Sequence, residues 1–320
     1  MAMVNSVLGP IDTEALGCTL MHEHIFTAAA GITQNYPELL GADFAGRIVS
    51  GLTQAKEGGI DTVVDATTLD LGRDVTVLAE VSRLSGVNII ACTGWWLEAP
   101  FFFTGVSTEQ LTQLFIREIR EGIAGTDIRA GILKAASDFS GVTEWQETIL
   151  RAVARAHLQT DVPIMLHSYS PGRVGKQQIA ILKDEGVDLS RVKVDHSNDT
   201  TDIGYLTWLL EKGCYLGMDR YPGRGDVSSI DRTKTLKELI DAGYADRLLL
   251  SHDCPLAQIT GESPATNKPS EKLEVLNPHS YLYLKKVVFP CLQEMGVSES
   301  TLNNLCITGP RNFFTRPQYL

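Results

Sequence analysis

The chain has 320 residues, 43% of them hydrophobic, enough for a sizeable core, and 28 basic against 39 acidic residues give a formal net charge of −11. So acidic a balance argues against nucleic acid or an anionic membrane surface as a partner, and no apolar run approaches the roughly 18 residues needed to span a bilayer. No basic segment followed by an apolar stretch opens the chain, so a cytoplasmic protein without a signal peptide is expected.

Eight short apolar runs recur, at 17–21, 61–67, 87–94, 130–136, 162–168, 192–197, 214–220 and 247–253. Several are continuously apolar, as strands buried on both faces of a parallel sheet are. The first, "GCTLM", leads into His22-Glu23-His24. Two histidines at i and i+2 of a strand share a face, so they serve either as metal ligands or as ordinary polar residues where the strand leaves the core. Helical patterns lie between the runs. "GRIVSGLTQAKEGG" ends in glycines, "STEQLTQLFIREIREGI" starts at Ser107 with Glu109 and Gln110 in its first turn, and "TEWQETILRAVARAHLQT" starts at Thr143. "GKQQIAILKDEG", "TDIGYLTWLLEKG" and "DRTKTLKELIDAG" each finish on the glycine favoured after a helix. Strands alternating with helices predict an α/β fold, a (β/α)8 TIM-type barrel formed as a single domain over 1–320. An open doubly wound sheet is the competing arrangement, and the absence of G-x-G-x-x-G after the first run counts against it.

Polar residues close these runs. His22 and His24 follow the first, Lys134 ends "AGILK", His167 ends "VPIMLH", His196 ends "VKVDH" and Asp253 ends "LLLSHD". In a barrel the carboxyl ends of the strands converge on one face, so all six point at one place. Lys134 stands in an apolar strand, where an unpaired ammonium is costly. It either snorkels out at the strand end or, as a neutral amine, takes up carbon dioxide to become an anionic carbamate able to bridge two metal ions. The company of four histidines and an aspartate favours the carbamate.

At this point the chain resembles the phosphotriesterase-like branch of the amidohydrolase superfamily. "TLMHEH", "LGRD", "GIAGTDIRAGILKAASD", "PIMLHS", "DHSNDTTD", "YLGMDRY", "GYADRLLLSHD" and the closing "GPRNFF" carry the resemblance, from about residue 8 to 314. It implies a barrel with two divalent metal ions, zinc first with iron, cobalt or manganese as alternatives, and a homodimer. By the same resemblance His22, His24 and Asp253 bind the buried ion, and His167 and His196 the more exposed one. Lys134, as N6-carboxylysine, bridges the two with a hydroxide that serves as nucleophile. Asp253 then carries the proton to the leaving group, and Asp199 relays protons onward. The implied substrate is a small neutral ester-type molecule. Arg220-Tyr221 resembles the lactonase-like members, which makes a lactonase with phosphotriesterase activity the first expectation. A true organophosphate triesterase and another ester or amide hydrolase are the alternatives.

Several stretches depart from the family pattern. Asp195 stands before His196 where the family commonly has glycine; it either supports a neighbouring ligand from behind or is an ordinary strand residue facing the helices, and the second reading is preferred. "TGWWLEAPFFF" offers Trp95 and Trp96, assigned to the substrate pocket with Tyr221 and Leu256, whereas Phe101 to Phe103 suggest an interface. Ile259 and Val275 join Leu256 as candidates for an acyl-chain surface. The Pro-, Ser- and Thr-rich 254–280 reads as a loop covering the site. His157 is read as solvated on its helix. The six cysteines (Cys18, Cys92, Cys214, Cys254, Cys291 and Cys306) form no C-x-x-C pair and are expected as free thiols in a reducing compartment.

Overall fold

The structure, a computed structural model, describes residues 2–41, 43–100, 103, 105–223, 225–258 and 277–315. An antiparallel hairpin, β1 (Met3–Ser6) and β2 (Gly9–Asp12), comes first. It precedes nine parallel strands: β3 (Thr19–Thr27), β4 (Thr62–Asp65), β5 (Asn88–Gly94), β6 (Ile132–Ser137), β7 (Ile164–Ser168), β8 (Val192–Val194), β9 (Tyr215–Met218), β10 (Leu248–Leu250) and β11 (Pro255–Gln258). Neighbours in sequence are neighbours in the sheet from β3 to β10, and β11 lies on the outer edge of β3. The curled sheet is drawn together between β10 and β3: the Asp253 amide donates to the His22 carbonyl at 3.2 Å, and the His22 amide to the Ser251 hydroxyl at 2.9 Å. This is the TIM-type barrel that the alternation of runs and helices predicts.

The longer helices are α1 (Phe44–Glu57), α2 (Val75–Ser85), α3 (Thr108–Arg120), α4 (Glu144–Thr160), α5 (Gly175–Asp184), α6 (Ile203–Glu211) and α7 (Ser229–Asp241). Ser107 and Gln110 cap each other's backbone at the start of α3, and Thr143 and Gln146 do the same at α4. α2 is not among the helices predicted from the sequence, although Asp74 caps its first turn and Gly86 ends it at φ 71°. Nor are β11 and the hairpin among the predicted elements.

Side chains alternate along each strand. Leu133, Leu166, Val194, Leu216 and Leu250 face the helices. Met21, Val64, Ile90, Ile132, Met165, Tyr215 and Leu249 fill the barrel, closed from below by Val4, Phe313 and Phe314. Two residues beyond Ile132 and Met165, the same inward columns reach Lys134 and His167. On β3 the column is broken on purpose. Leu20 pairs with Val63 but Glu23 with Asp65, so β3 carries one extra residue. Such a bulge re-aims side chains, and here His22 and Met21 both end up on the barrel side.

All six cysteines are free and five are buried. Among the described residues no helix is long and apolar enough to cross a membrane. His157 departs from its expected solvation: it is 4% exposed, with its ring N–H donated to the Val162 carbonyl at 2.8 Å. Burial lowers its pKa from 6.5. The unfolded chain therefore protonates first, and the stability tied to this ring, complete above about pH 6.5, is lost as pH falls toward the folded value. Urea unfolding of His157→Gln between about pH 6.5 and pH 5 is expected to show a shallower loss of stability than the parent, by up to about 1.4 kcal/mol per pH unit. Equal slopes would exclude the ring as a contributor.

Candidate metal centre

Two histidines of β3 meet the αL turn after β10. The Nε2 atoms of His22 and His24 lie 3.5 and 3.4 Å from the same oxygen of Asp253, Oδ1. These three residues can bring one donor atom each within 4.8 Å of one another. Each ring is locked from behind. His22 gives its Nδ1 proton to Asp195 Oδ2 at 2.9 Å. His24 gives its own to Thr67 Oγ1 at 2.8 Å, and that hydroxyl donates to Asp65 at 2.9 Å. Both Nε2 lone pairs therefore face Asp253. His22 Nε2 is fully buried and has no hydrogen-bond partner among the described residues. A buried acceptor left without a donor is costly, and a divalent cation is the partner that this donor set suits.

The second pair stands beside it. His196 Nε2 and His167 Nδ1 approach to 2.8 Å. His196, held at φ 58°, binds Asp219 Oδ1 through both its amide (2.8 Å) and its Nδ1 (3.0 Å), and His167 Nε2 lies 3.3 Å from Asp138. Burial holds the pKa of His22 at about 3 and lowers those of His167 and His196, Arg220 reinforcing the shift at the last two, so the rings are neutral donors at neutral pH. Lys134 is 1% exposed, and its Nζ donates to the Ala66 carbonyl at 2.7 Å rather than to a carboxylate. Its backbone is approached so closely by Gly94, at φ 128°, that a Cβ there would lie 1.9 Å from the Lys134 carbonyl oxygen.

Above these groups opens a cavity of about 210 Å³ lined by His24, Thr27, Lys134, His167, Arg220 and Asp253, with Leu71, Trp96, Pro255 and Gln258 around them. Arg220 spans two carboxylates, Nε to Asp253 Oδ2 at 2.8 Å and Nη1 to Asp199 Oδ2 at 2.5 Å; Asp199 is gripped from its other side by buried Arg232 at 2.6 Å. Burial pushes the Asp253 carboxyl up, but Arg220, with the neighbouring histidines, outweighs it and holds the group well below the usual range.

The six expected ligand positions thus come together, with Arg220 and Asp199 alongside. The pocket assignments divide. Trp96 meets the cavity, edge-on to the His167 ring at 6.1 Å. Trp95 turns the opposite way, stacks on Phe103 at 5.2 Å and against Trp145, and donates to the Glu98 carbonyl. Phe103 is thereby packed within the chain. Tyr221 is buried in the layer between barrel and helices, and Leu256 packs on Gly51 of α1, while Pro255 and Gln258, at the two ends of β11, meet the cavity instead. Asp195 corrects the expectation that it faces the helices: it is fully buried inside the barrel beneath His22. Phe101, Phe102, Ile259, Val275 and most of the expected covering loop lie outside the described residues.

Glu23, Thr67, Asp138, Lys193 and Asp219 are not among the site residues expected from the sequence. Lys193 and Asp219 had a signal, since each shares an inward period-two column, Lys193 with Asp195 and Asp219 with Tyr215. Glu23 had none. Its Oε1 accepts from the Ser251 hydroxyl and from the amide and ring of His252, and its Oε2 from the Cys254 amide.

The model of the phosphotriesterase family matches residues 2–314. The chain is 40% identical over 332 residues to a phosphotriesterase homology protein of Mycobacterium tuberculosis, covering 99% of this chain and 98% of the relative. It is 34% identical to an aryldialkylphosphatase of Saccharolobus solfataricus, covering 95% and 97%, and 28% identical to an N-acetyltaurine hydrolase of Mus musculus, covering 98% and 97%.

Proposed function

The chain belongs to the phosphotriesterase family, and from that premise we propose that it is a hydrolase with a binuclear metal centre that opens neutral lactones, with phosphotriesterase activity beside it. The observation that carries the reading is the unpartnered, buried Nε2 of His22 aimed with His24 at one oxygen of Asp253. His22, His24 and Asp253 would hold one divalent ion, His167 and His196 the other, and Lys134, as N6-carboxylysine, would join them. The ions supply an acidified water and polarise the bond to be broken.

The chain's own groups do the rest. Asp253 stays a carboxylate because Arg220 is paired to its Oδ2; it takes the proton of the attacking water and delivers it to the leaving group. Arg220 remains charged, its pKa raised because Asp253 and Asp199 outweigh its burial. A proton relay to Asp199 would have to cross that guanidinium, so we assign Asp199 to orienting Arg220. Trp96 forms an apolar wall against His167, and Arg220, Thr27 and Gln258 give the cavity polar contacts for a carbonyl or ring oxygen.

An organophosphate triester is the second reading, favoured by the name of the Saccharolobus solfataricus relative. Zinc-loaded protein is expected to open a lactone series with kcat/KM above that for paraoxon, and a chelator to abolish both. Paraoxon ahead of every lactone would reverse the order. Slow turnover of both, with esters or amides cleaved efficiently, would overturn the lactone reading while leaving the hydrolase intact; the polar cavity wall and the mouse relative's name give that outcome its candidates.

A further inference from the structure

We infer that Lys193 and Asp195 form a built-in positioning pair that fixes His22 in its ligand tautomer and orientation before any metal arrives. The inference rests on the metal-centre reading above and goes beyond it, because neither residue faces the cavity.

Both side chains lie inside the barrel, one layer below the cavity, and both are fully buried. Lys193 Nζ donates to the carbonyl of Met21 at 2.9 Å, the residue just before His22. It is ion-paired with Asp195 Oδ1, and Asp219 Oδ2 lies 3.6 Å away. Asp195 Oδ2 accepts the Nδ1 proton of His22. The pair thus grips β3 twice, at the backbone entering His22 and at the ring, across the interior from β8. Space for it comes from β9, where Gly217 faces inward: a Cβ there would lie 2.2 Å from Asp219 Oδ2 and 2.7 Å from Asp195 Oδ1.

The charges explain the direction. Asp195 Oδ1 is ion-paired with Lys193, so its carboxyl group meets His22 as an anionic acceptor. An ionised carboxylate only accepts, so the proton must sit on Nδ1 and the lone pair on Nε2. His22, His196 and Asp219 form a second cluster with metal-like spacing in this lower layer. The Lys193 ammonium beside Asp219 already supplies its cation. A fixed counter-ion below leaves the neutral imidazoles to point their remaining nitrogens upward. Groups that orient a ligand in this way are typically worth about 10–100-fold in metal affinity.

The test uses the full chain, labelled with ¹⁵N-histidine and stripped of metal, as parent, as Asp195→Asn and as the double variant Lys193→Leu/Asp195→Gly, which removes both charges together. A His22→Asn sample assigns the ring among the seven histidines. The parent is expected to show His22 in a single Nδ1–H tautomer. The double variant, folded by circular dichroism, should show a mixture, and one of its two zinc ions should bind about 10–100-fold more weakly in chelator competition. Should the double variant not fold, Asp195→Asn, which keeps the shape and loses the charge, carries the same expectation at smaller size. A pure tautomer and parental zinc affinity in a folded variant would reduce the pair to a structural strut and overturn the inference. A parent that takes up no zinc would overturn the metal-centre reading itself, a result distinct from any difference between variants.

Discussion

Replacing Lys134 by alanine is expected to lower kcat by about a thousandfold, equivalent to about 4 kcal/mol of barrier, and to reduce the metal bound per chain. The fold should survive, because Lys134 sits in the inward column above Ile132 and its hydrogen bond is to the Ala66 carbonyl, not part of the sheet ladder. What is lost is a side chain that lines the cavity with His24, His167 and Asp253 and, as a carbamate, could carry a bridging anion. The truncated side chain leaves a hole open to the cavity, so acetate or propionate should restore part of the activity and of the metal content. Rescue separates a carbamate from a plain ammonium strut: a carboxylate can replace the first and not the second. Activity at the parental level in a folded Lys134→Ala protein, measured with the same lactone and paraoxon pair, would remove Lys134 from the chemistry.

The ligand positions were legible because they obey a period of two at the ends of strands. Lys134 above Ile132 and His167 above Met165 need no tertiary information beyond a barrel. His22 and His24 were found for the same reason, yet the bulge between Leu20 and Glu23 that turns them inward was not, because an extra residue leaves no mark in an apolar run. Trp95 and Trp96 show the limit of adjacency. Neighbours on an extended chain point opposite ways, so at most one could face the cavity, and which one depends on Phe103 and Trp145 arriving on the far side. Asp195 was misjudged because inside and outside are chemically alike for an aspartate until its partners are known, and His22 lies 173 residues away. His157, by contrast, could have been found. With Leu150, Val153 and Ala154 it completes the i, i+3, i+4, i+7 stripe that faces a core.

Asp253→Asn is the substitution in which charge can be removed with least disturbance of shape. The residue sits at φ 52°, a region that asparagine tolerates as well as aspartate. Its backbone is held independently of its side chain: its amide donates to His22, and Glu23 binds Ser251, His252 and Cys254 on either side. The turn should therefore stay in place and the melting temperature should change little. The carboxylate, however, has three uses. Oδ1 is the oxygen that His22 and His24 face, Oδ2 anchors Arg220, and the ionised group is the base that the proposed reaction needs. An amide can keep a weakened form of the first two and has no form of the third. Loss of a positioned base costs about 10²–10⁴ in rate, so kcat should fall by that factor while zinc content falls less steeply and KM moves little. A protein that binds zinc more weakly but regains the parental kcat once saturated with zinc would make Asp253 a ligand only, and the proton would then need another acceptor. A protein that keeps its zinc and loses kcat separates proton transfer from metal binding at a single side chain, which is the division of labour that the Arg220–Asp253 pair is built to support.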